Sequence, residues 1–233
     1  MIRSSRPRLW PVLLASGIGL AILLSLGVWQ VQRLAWKEAL IHHLDERMTA
    51  PPRALADVLA APDADYTPVT VSGHFMVHPP FRLLTSVKGR PGWLLVQGFA
   101  TAEGKSLLVA RGGIPEDADL PPAPQGELTL TGILRQHPGK PGFFDGANDV
   151  AGNSWTWWDT AGMLQALGAT EPPDEGVVLH LLPGTAATEG LAVEAPKADL
   201  RNNHLGYAIT WFGLAAALVA VTAAFLWRRG KQS

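Results

Sequence analysis

The sequence predicts an α+β membrane protein, in which two transmembrane helices flank one antiparallel β-rich extracytoplasmic domain. Two stretches of the 233-residue chain, 9–32 and 205–227, contain no charged residue, and each is long enough to cross a hydrocarbon core about 30 Å thick. Between them, short β-like runs bounded by Gly and Pro follow one another. The chain is 47% apolar and only 17% charged, whereas roughly a quarter of the residues of a soluble domain are charged.

The first apolar stretch has two explanations. Three arginines before an apolar core are also the pattern of a cleaved signal peptide. A signal core, however, spans about 7–15 residues and ends at a small-x-small site, whereas this run is longer and continues into a polar helix. We therefore expect an uncleaved transmembrane helix over 9–32, which continues to about Met48 and ends before Pro51-Pro52.

The residues between the two spans predict seven strands and two short helices. The strands are expected at 67–77, 81–88, 92–100, 105–114, 127–136, 155–158 and 177–182. The helices are expected at about 53–60 and 160–167, and tight hairpin connections at 89–92 and 102–104.

The distribution of Lys and Arg predicts the orientation of both spans, because cytoplasmic flanks carry the excess of these residues. Three arginines precede the first span, and two arginines and a lysine follow the second, whereas the inner flanks carry fewer. We expect cytoplasmic tails at 1–8 and 228–233, and an extracytoplasmic domain over 33–204. In a Gram-negative cell, this is an inner-membrane protein with a periplasmic domain.

Composition and missing motifs exclude several classes of function. A net charge of −1 offers no basic face for nucleic acid, and a chain without cysteine has no disulfide, thiol exchange or thiolate metal site. Hydrolase, zinc-protease and phosphate-loop motifs are missing, so we expect no catalytic residues. Four histidines of the β domain, which lack metal-ligand spacing, are expected at the surface or satisfied in the core: His74, His78, His137 and His180.

His204 stands at the outer threshold of the second span, where an ionisable group is expensive unless it is used or solvated. Helical spacing places His204 on one face of the second span with Tyr207 and Trp211. At the end of the first span, in the same leaflet, Trp29, Arg33 and Trp36 share a helical face in the same way. An ordinary interfacial aromatic belt explains both faces. The alternative is a flat amphiphilic ligand such as haem, with His204 as metal ligand and aromatic or cationic partners at Tyr207, Trp211, Trp29, Arg33, Trp36 and Arg201.

Both span ends carry motifs that resemble those of the Surfeit-locus/Shy family of cytochrome oxidase assembly proteins. The end motifs are 26–37 (LGVWQVQRLAWK) and 202–212 (NNHLGYAITWF). The intervening residues resemble the family's glycine-x-phenylalanine strand at 71–75, its arginine-glycine loop at 109–115 and its Trp/Asp segment at 157–159. Where that loop usually carries Trp, this chain has Gly113.

The resemblance implies a biogenesis factor for haem-copper oxidases, which binds haem a at the outer membrane surface and assists its insertion into the large catalytic subunit. The family's second-span histidine matches His204. The implied partners are the large oxidase subunit, membrane lipid and haem a synthase. Two alternatives are a cofactor-free, membrane-tethered scaffold for an oxidase intermediate, and a periplasmic sensor module, which the short cytoplasmic tails disfavour.

Overall fold

The computed structural model describes residues 9–137, 139–143, 145–169, 176–198 and 202–231. The chain divides into two compact units, one formed by Met1–His43 with Asp199–Ser233 and the other by Leu44–Ala198. The first unit is a helix pair and the second is rich in strands. The predicted α+β class, with long apolar helices on either side of a β domain, is therefore confirmed.

Two helices are long and apolar enough to cross a membrane, α1 (Trp10–Met48) and α4 (His204–Gly230). Helix α1 continues past the predicted span to Met48, as expected from its strong helix formers. Within the second unit, Arg47 in its last turn donates to the Asp63 carboxylate at 2.7 Å and to the Asp65 carbonyl at 3.1 Å. These bonds hold the end of the helix to the turn before the first long strand.

The β domain contains eight strands and two short helices in the described part of the chain. The strands are β1 (Arg53–Ala54), β2 (Thr67–Phe75), β3 (Phe81–Val87), β4 (Arg90–Thr101), β5 (Ser106–Pro115), β6 (Leu128–Gln136), β7 (Ser154–Trp155) and β8 (Val177–Leu181). The helices are α2 (Leu55–Leu59) and α3 (Thr160–Ala166), and a 3₁₀ turn spans Ala186–Thr188.

Several predicted boundaries differ from the structure by one to three residues, and three of the differences concern the first short helix, the strand before α3 and the first hairpin. The helix expected at 53–60 begins with the two-residue strand β1. The strand expected at 155–158 ends at Trp155, because the Asp159 carboxylate accepts from the amide of Gly162 at 2.9 Å and caps α3. The first hairpin turns at Lys88-Gly89, where both residues have positive φ, so that β4 already begins at Arg90.

Five strands close into a barrel in the order β2, β6, β8, β5 and β4. Closure depends on β2, which pairs with β6 over Thr67–Gly73 and with β4 over Gly73–Phe75. Strand β3 extends the sheet from β4. The sheet is mixed rather than antiparallel throughout, because β8 returns along β5 in parallel after the crossover that contains α3, and β1 and β7 also pair in parallel.

Alternating side chains of the barrel strands build two apolar clusters on opposite faces of the sheet. The inner cluster includes Val71, Phe75, Phe99, Leu107, Val109, Leu134 and Leu179. The outer cluster includes Phe81, Val96, Leu108, Val178, Trp155 and, from α3, Met163. The outer face of the barrel is therefore covered by α3 and β7 instead of being open to water.

Gly73 is the residue at which β2 changes partner, and the structure tolerates no side chain there. Its φ is +156°, which L residues rarely adopt, and a Cβ would overlap the carbonyl oxygen of Ala100 on β4. We expect Gly73→Ala to lower the free energy of unfolding by about 3 kcal/mol, because strain and steric overlap add. Denaturant unfolding of the full chain in detergent, followed by tryptophan fluorescence, measures this change.

Gly104 provides a matched control. It also has a positive φ, +83°, but nothing lies within 4 Å of its Cβ position. Gly104→Ala should therefore show the backbone strain alone, about 1 kcal/mol. Equal losses in the two variants would contradict the assigned role of the close contact with Ala100.

Candidate functional site

Gln30 and His204 meet in the helix pair at the end where α4 begins. The His204 Nδ1 donates to the Gln30 Oε1 at 2.7 Å, and Gln30 is only 8% exposed. The sequence prediction named His204 but missed Gln30, which lies 174 residues earlier in the chain. A polar amide three residues after Gly27, on the same helical stripe, was the signal that could have indicated it.

Small residues in the helix pair bring the two side chains together. Gly27 lies against the Phe212 ring, which a Cβ would approach to 2.7 Å, and the residues buried in α4 are Ala208 and Ala215. Fourteen residues before Gln30, Ser16 accepts from the Thr222 hydroxyl at 3.2 Å. These contacts set the antiparallel register of α1 and α4 and place His204 opposite Gln30.

The hydrogen bond determines which nitrogen of His204 is available. A carbonyl oxygen only accepts, so Nδ1 carries the proton and Nε2 carries the lone pair in the neutral ring. Metal-binding histidines are usually held in this way, with the second ring nitrogen bonded to an oxygen acceptor. Trp29 lies edge-on to the same ring, with the centroids 6.4 Å apart at 84°. His204 is therefore oriented for ligation through Nε2.

The other predicted site residues differ in their exposure and in whether their rings contact His204. The Arg33 guanidinium lies 3.9 Å from the Trp36 ring centroid, and Trp29, Trp36 and Tyr207 are each about half exposed. In the described part of the chain, no ring contact joins Tyr207 or Trp211 to His204. The predicted Arg201 lies outside the described residues.

Two histidines of the β domain also form a pair that sequence spacing could not show. His137 follows β6, His180 lies on β8, and their Nε2 atoms are 3.0 Å apart, while His137 stacks on Trp158 at 4.0 Å. Burial is the largest cause that lowers the pKa of both rings. The pKa of His137 is lowered to about 4, and the positive charge of Arg135 contributes to this shift. The pKa of His180 is lowered to about 3, with smaller contributions from His137 and Arg135. His74, by contrast, is exposed as expected.

The histidine pair is a structural element of the β domain. Both rings are neutral at neutral pH, and one donates to the other. Among the residues that the structure describes, no group of three or more His, Asp or Glu side chains could hold a metal ion. The two Nε2 atoms therefore satisfy each other next to the β6–β8 pairing.

The segment that resembles the family's arginine-glycine loop is part of β5 rather than a loop. Arg111 is 2% exposed and donates to the carbonyl groups of Ala187 and Pro122 and to the Gln97 side chain, at 3.0 to 3.1 Å. Burial lowers the pKa of its guanidinium. At Gly113, Val87 fills the space that a larger side chain would need, with its Cγ2 atom 2.8 Å from the Cβ position.

The fold and this site define a membrane-anchored β-barrel protein that presents an oriented imidazole on its helix pair. The chain matches the SURF1 family over residues 18–216, and it belongs to that family. Surfeit locus protein 1 of Xenopus tropicalis is 31% identical in an alignment that covers 83% of this chain and 68% of that protein. The human Surfeit locus protein 1 is 31% identical over 82% of this chain and 70% of its own length.

A bacterial relative, the SURF1-like protein of Rickettsia bellii, is 29% identical over 86% of this chain and 84% of its own length. Membership of the family implies a role in cytochrome c oxidase assembly. The family is one of assembly factors and not a known catalytic family. With two helices able to cross a membrane, the chain is a membrane protein.

The His137–His180 pair predicts a loss of stability in mild acid. Unfolded histidines titrate near pH 6.5, whereas the folded pair stays neutral to about pH 4. As pH falls, the unfolded state therefore binds protons first. We expect the free energy of unfolding to fall by about 2–4 kcal/mol between roughly pH 7 and pH 5, and to be independent of this pair above that range. Denaturant midpoints of the full chain across this range measure the effect.

The double variant His137→Gln/His180→Gln should flatten this pH dependence, although its stability at neutral pH is lower. His74→Gln is the control, because that side chain is exposed, and it should leave the slope unchanged. A double variant with the wild-type slope would assign the acid sensitivity to other groups.

Proposed function

We propose that this protein binds haem a at the outer end of its helix pair and assists insertion of the haem into the large catalytic subunit of cytochrome c oxidase. The observation that carries the proposal is the Gln30–His204 hydrogen bond, which leaves Nε2 of His204 with a lone pair for iron. The family's role in oxidase assembly is compatible with haem a as the cargo.

The surrounding residues fit a flat, amphiphilic ligand. Trp29 and Trp36 are about half exposed and offer apolar faces to a macrocycle. Arg33 is exposed beside Trp36 and can pair with anionic carboxylates. The Asn202 Oδ1 is buried and has no hydrogen-bond partner in the described part of the chain, so it can accept from a donor on a ligand.

Haem bound by one histidine can be passed on more readily than haem with two strong axial bonds. Nε2 of His204 would donate its lone pair to the iron, and the remaining contacts would be aromatic packing and an interfacial ion pair, each of modest strength. Arg33 would pair with the carboxylates at the water boundary, while the Trp29 and Trp36 rings would pack against the macrocycle. Such a site suits temporary holding of a cargo. The large oxidase subunit as recipient, and haem a synthase as donor, are the partners we propose.

The same proposal includes the topology. Clusters of Lys and Arg outside both spans favour cytoplasmic termini, so the β domain is periplasmic and His204 lies near the periplasmic surface of the inner membrane. The haem would then be held at the level of the lipid headgroups, where aromatic and arginine side chains are favoured.

The natural absence of cysteine permits a direct test of topology. Single substitutions Glu103→Cys, on the exposed turn between β4 and β5, and Lys231→Cys, after α4, each introduce one thiol. We expect a membrane-impermeant maleimide to label Glu103→Cys in intact spheroplasts and Lys231→Cys only after permeabilisation. Labelling of both in intact spheroplasts, or of neither, would contradict cytoplasmic termini with an outer domain.

Replacement of His204 tests the haem site. His204→Ala removes the only imidazole in this part of the helix pair, so haem that copurifies from cells making haem a should be lost or its spectrum strongly changed. Membrane insertion should persist, because one residue at the end of a long apolar helix scarcely alters its hydropathy. Visible absorbance per protein, compared with the wild type, measures occupancy.

His74→Ala is the matched control, since it removes an exposed imidazole of the β domain and should leave the spectrum unchanged. An unchanged spectrum at full occupancy in His204→Ala would exclude His204 as the ligand and would favour the cofactor-free scaffold.

A further inference from the structure

Gln30 is the one buried polar side chain of α1, and its amide oxygen lies 2.7 Å from Nδ1 of His204. We propose that Gln30 is a positioning residue that fixes both the tautomer and the orientation of the His204 ring. The part of this inference that concerns haem rests on the proposed function, whereas the part that concerns the tautomer is a property of the protein alone.

The surroundings of Gln30 leave its amide little freedom. The side chain is 8% exposed, and one turn earlier the Phe212 ring of α4 lies directly against Gly27. A buried carbonyl oxygen that lost its donor would be left unsatisfied in an apolar environment. The Gln30 oxygen therefore favours the ring state that donates from Nδ1 over the state that carries the proton on Nε2.

This choice of tautomer matters for ligand binding. In the neutral ring with its proton on Nδ1, the Nε2 lone pair is available, and the ring does not have to exchange tautomers before iron binds. The hydrogen bond also restrains rotation of the imidazole and increases its electron donation to a metal. Without the bond, the ring would sample both tautomers and several orientations, of which only a fraction can bind.

A purely structural role is the competing explanation, because a hydrogen bond between membrane helices also holds the helices together. The chain contains a matched control for that role. The Thr222–Ser16 bond joins the same two helices at 3.2 Å and lies far along the pair from His204. Thr222→Val removes a hydrogen bond between the helices and leaves the Gln30–His204 bond intact.

The first experiment uses the haem-free full chain in detergent micelles, with ¹⁵N-labelled histidine and the His204 signals assigned by comparison with His204→Gln. At neutral pH, we expect the wild type and Thr222→Val to show a protonated Nδ1 and an unprotonated Nε2. Gln30→Leu, which keeps the approximate volume but has no acceptor, should shift the proton toward Nε2. A wild-type ring protonated mainly on Nε2, or a Gln30→Leu ring that keeps its proton on Nδ1, would overturn the proposal.

The second experiment titrates the same proteins with ferric haem a. Gln30→Leu should bind about 10–100-fold more weakly than the wild type, whereas Thr222→Val should bind within a few fold of it. Gln30→Glu restores an acceptor, so it should recover most of the affinity and lower the reduction potential of the bound iron. Equal affinity and potential in the wild type and Gln30→Leu would overturn the positioning role.

The two readouts separate the two hypotheses. If the wild type binds no haem a, the proposed function fails, while the tautomer measured in the haem-free protein still decides the role of Gln30. If the wild type binds haem a and His204→Ala does not, but Gln30→Leu matches the wild type in both experiments, the function stands and the positioning role fails.

Discussion

Closure of the five-stranded barrel at Gly73 is the constraint on which the β domain depends. There β2 leaves β6 and pairs with β4, at a separation that only a residue without a side chain allows. Closure satisfies the backbone groups of both strands and encloses the inner cluster, in which Phe75 meets Phe99 edge-on at 5.2 Å. Because the inner face is sealed, the outer face can carry a second apolar cluster beneath α3.

Contacts within the helix pair join two polar side chains. The Phe212 ring lies against Gly27, and Nδ1 of His204 donates to the Gln30 Oε1, so each polar group finds its partner on the other helix. The same contact orients an imidazole and leaves one of its nitrogens available.

The helices and strands were largely predictable from sequence, whereas the strand neighbours and the side-chain contacts between distant residues were not. An uncharged apolar run is sufficient to predict α1 and α4, and Gly and Pro at strand ends placed the long strands within two or three residues. The parallel neighbour of β5 could not be predicted, because residue patterns do not record which strand lies beside which. His204 was apparent as an ionisable group at a span end, but its partner Gln30 and the His137–His180 contact depend on tertiary structure.

The position of β8 determines when the barrel can close during folding. Among the described residues β8 is the last strand, yet it lies between β5 and β6, and its parallel register with β5 joins Leu108 to Val178. Until β8 inserts, the earlier strands form an open sheet with two unpaired edges, which can template wrong pairings. Long-range parallel closure is also intrinsically slow. If the strands pair in chain order, both edges stay open until β8 pairs, and we expect folding errors to concentrate at the β5–β8 and β6–β8 pairings.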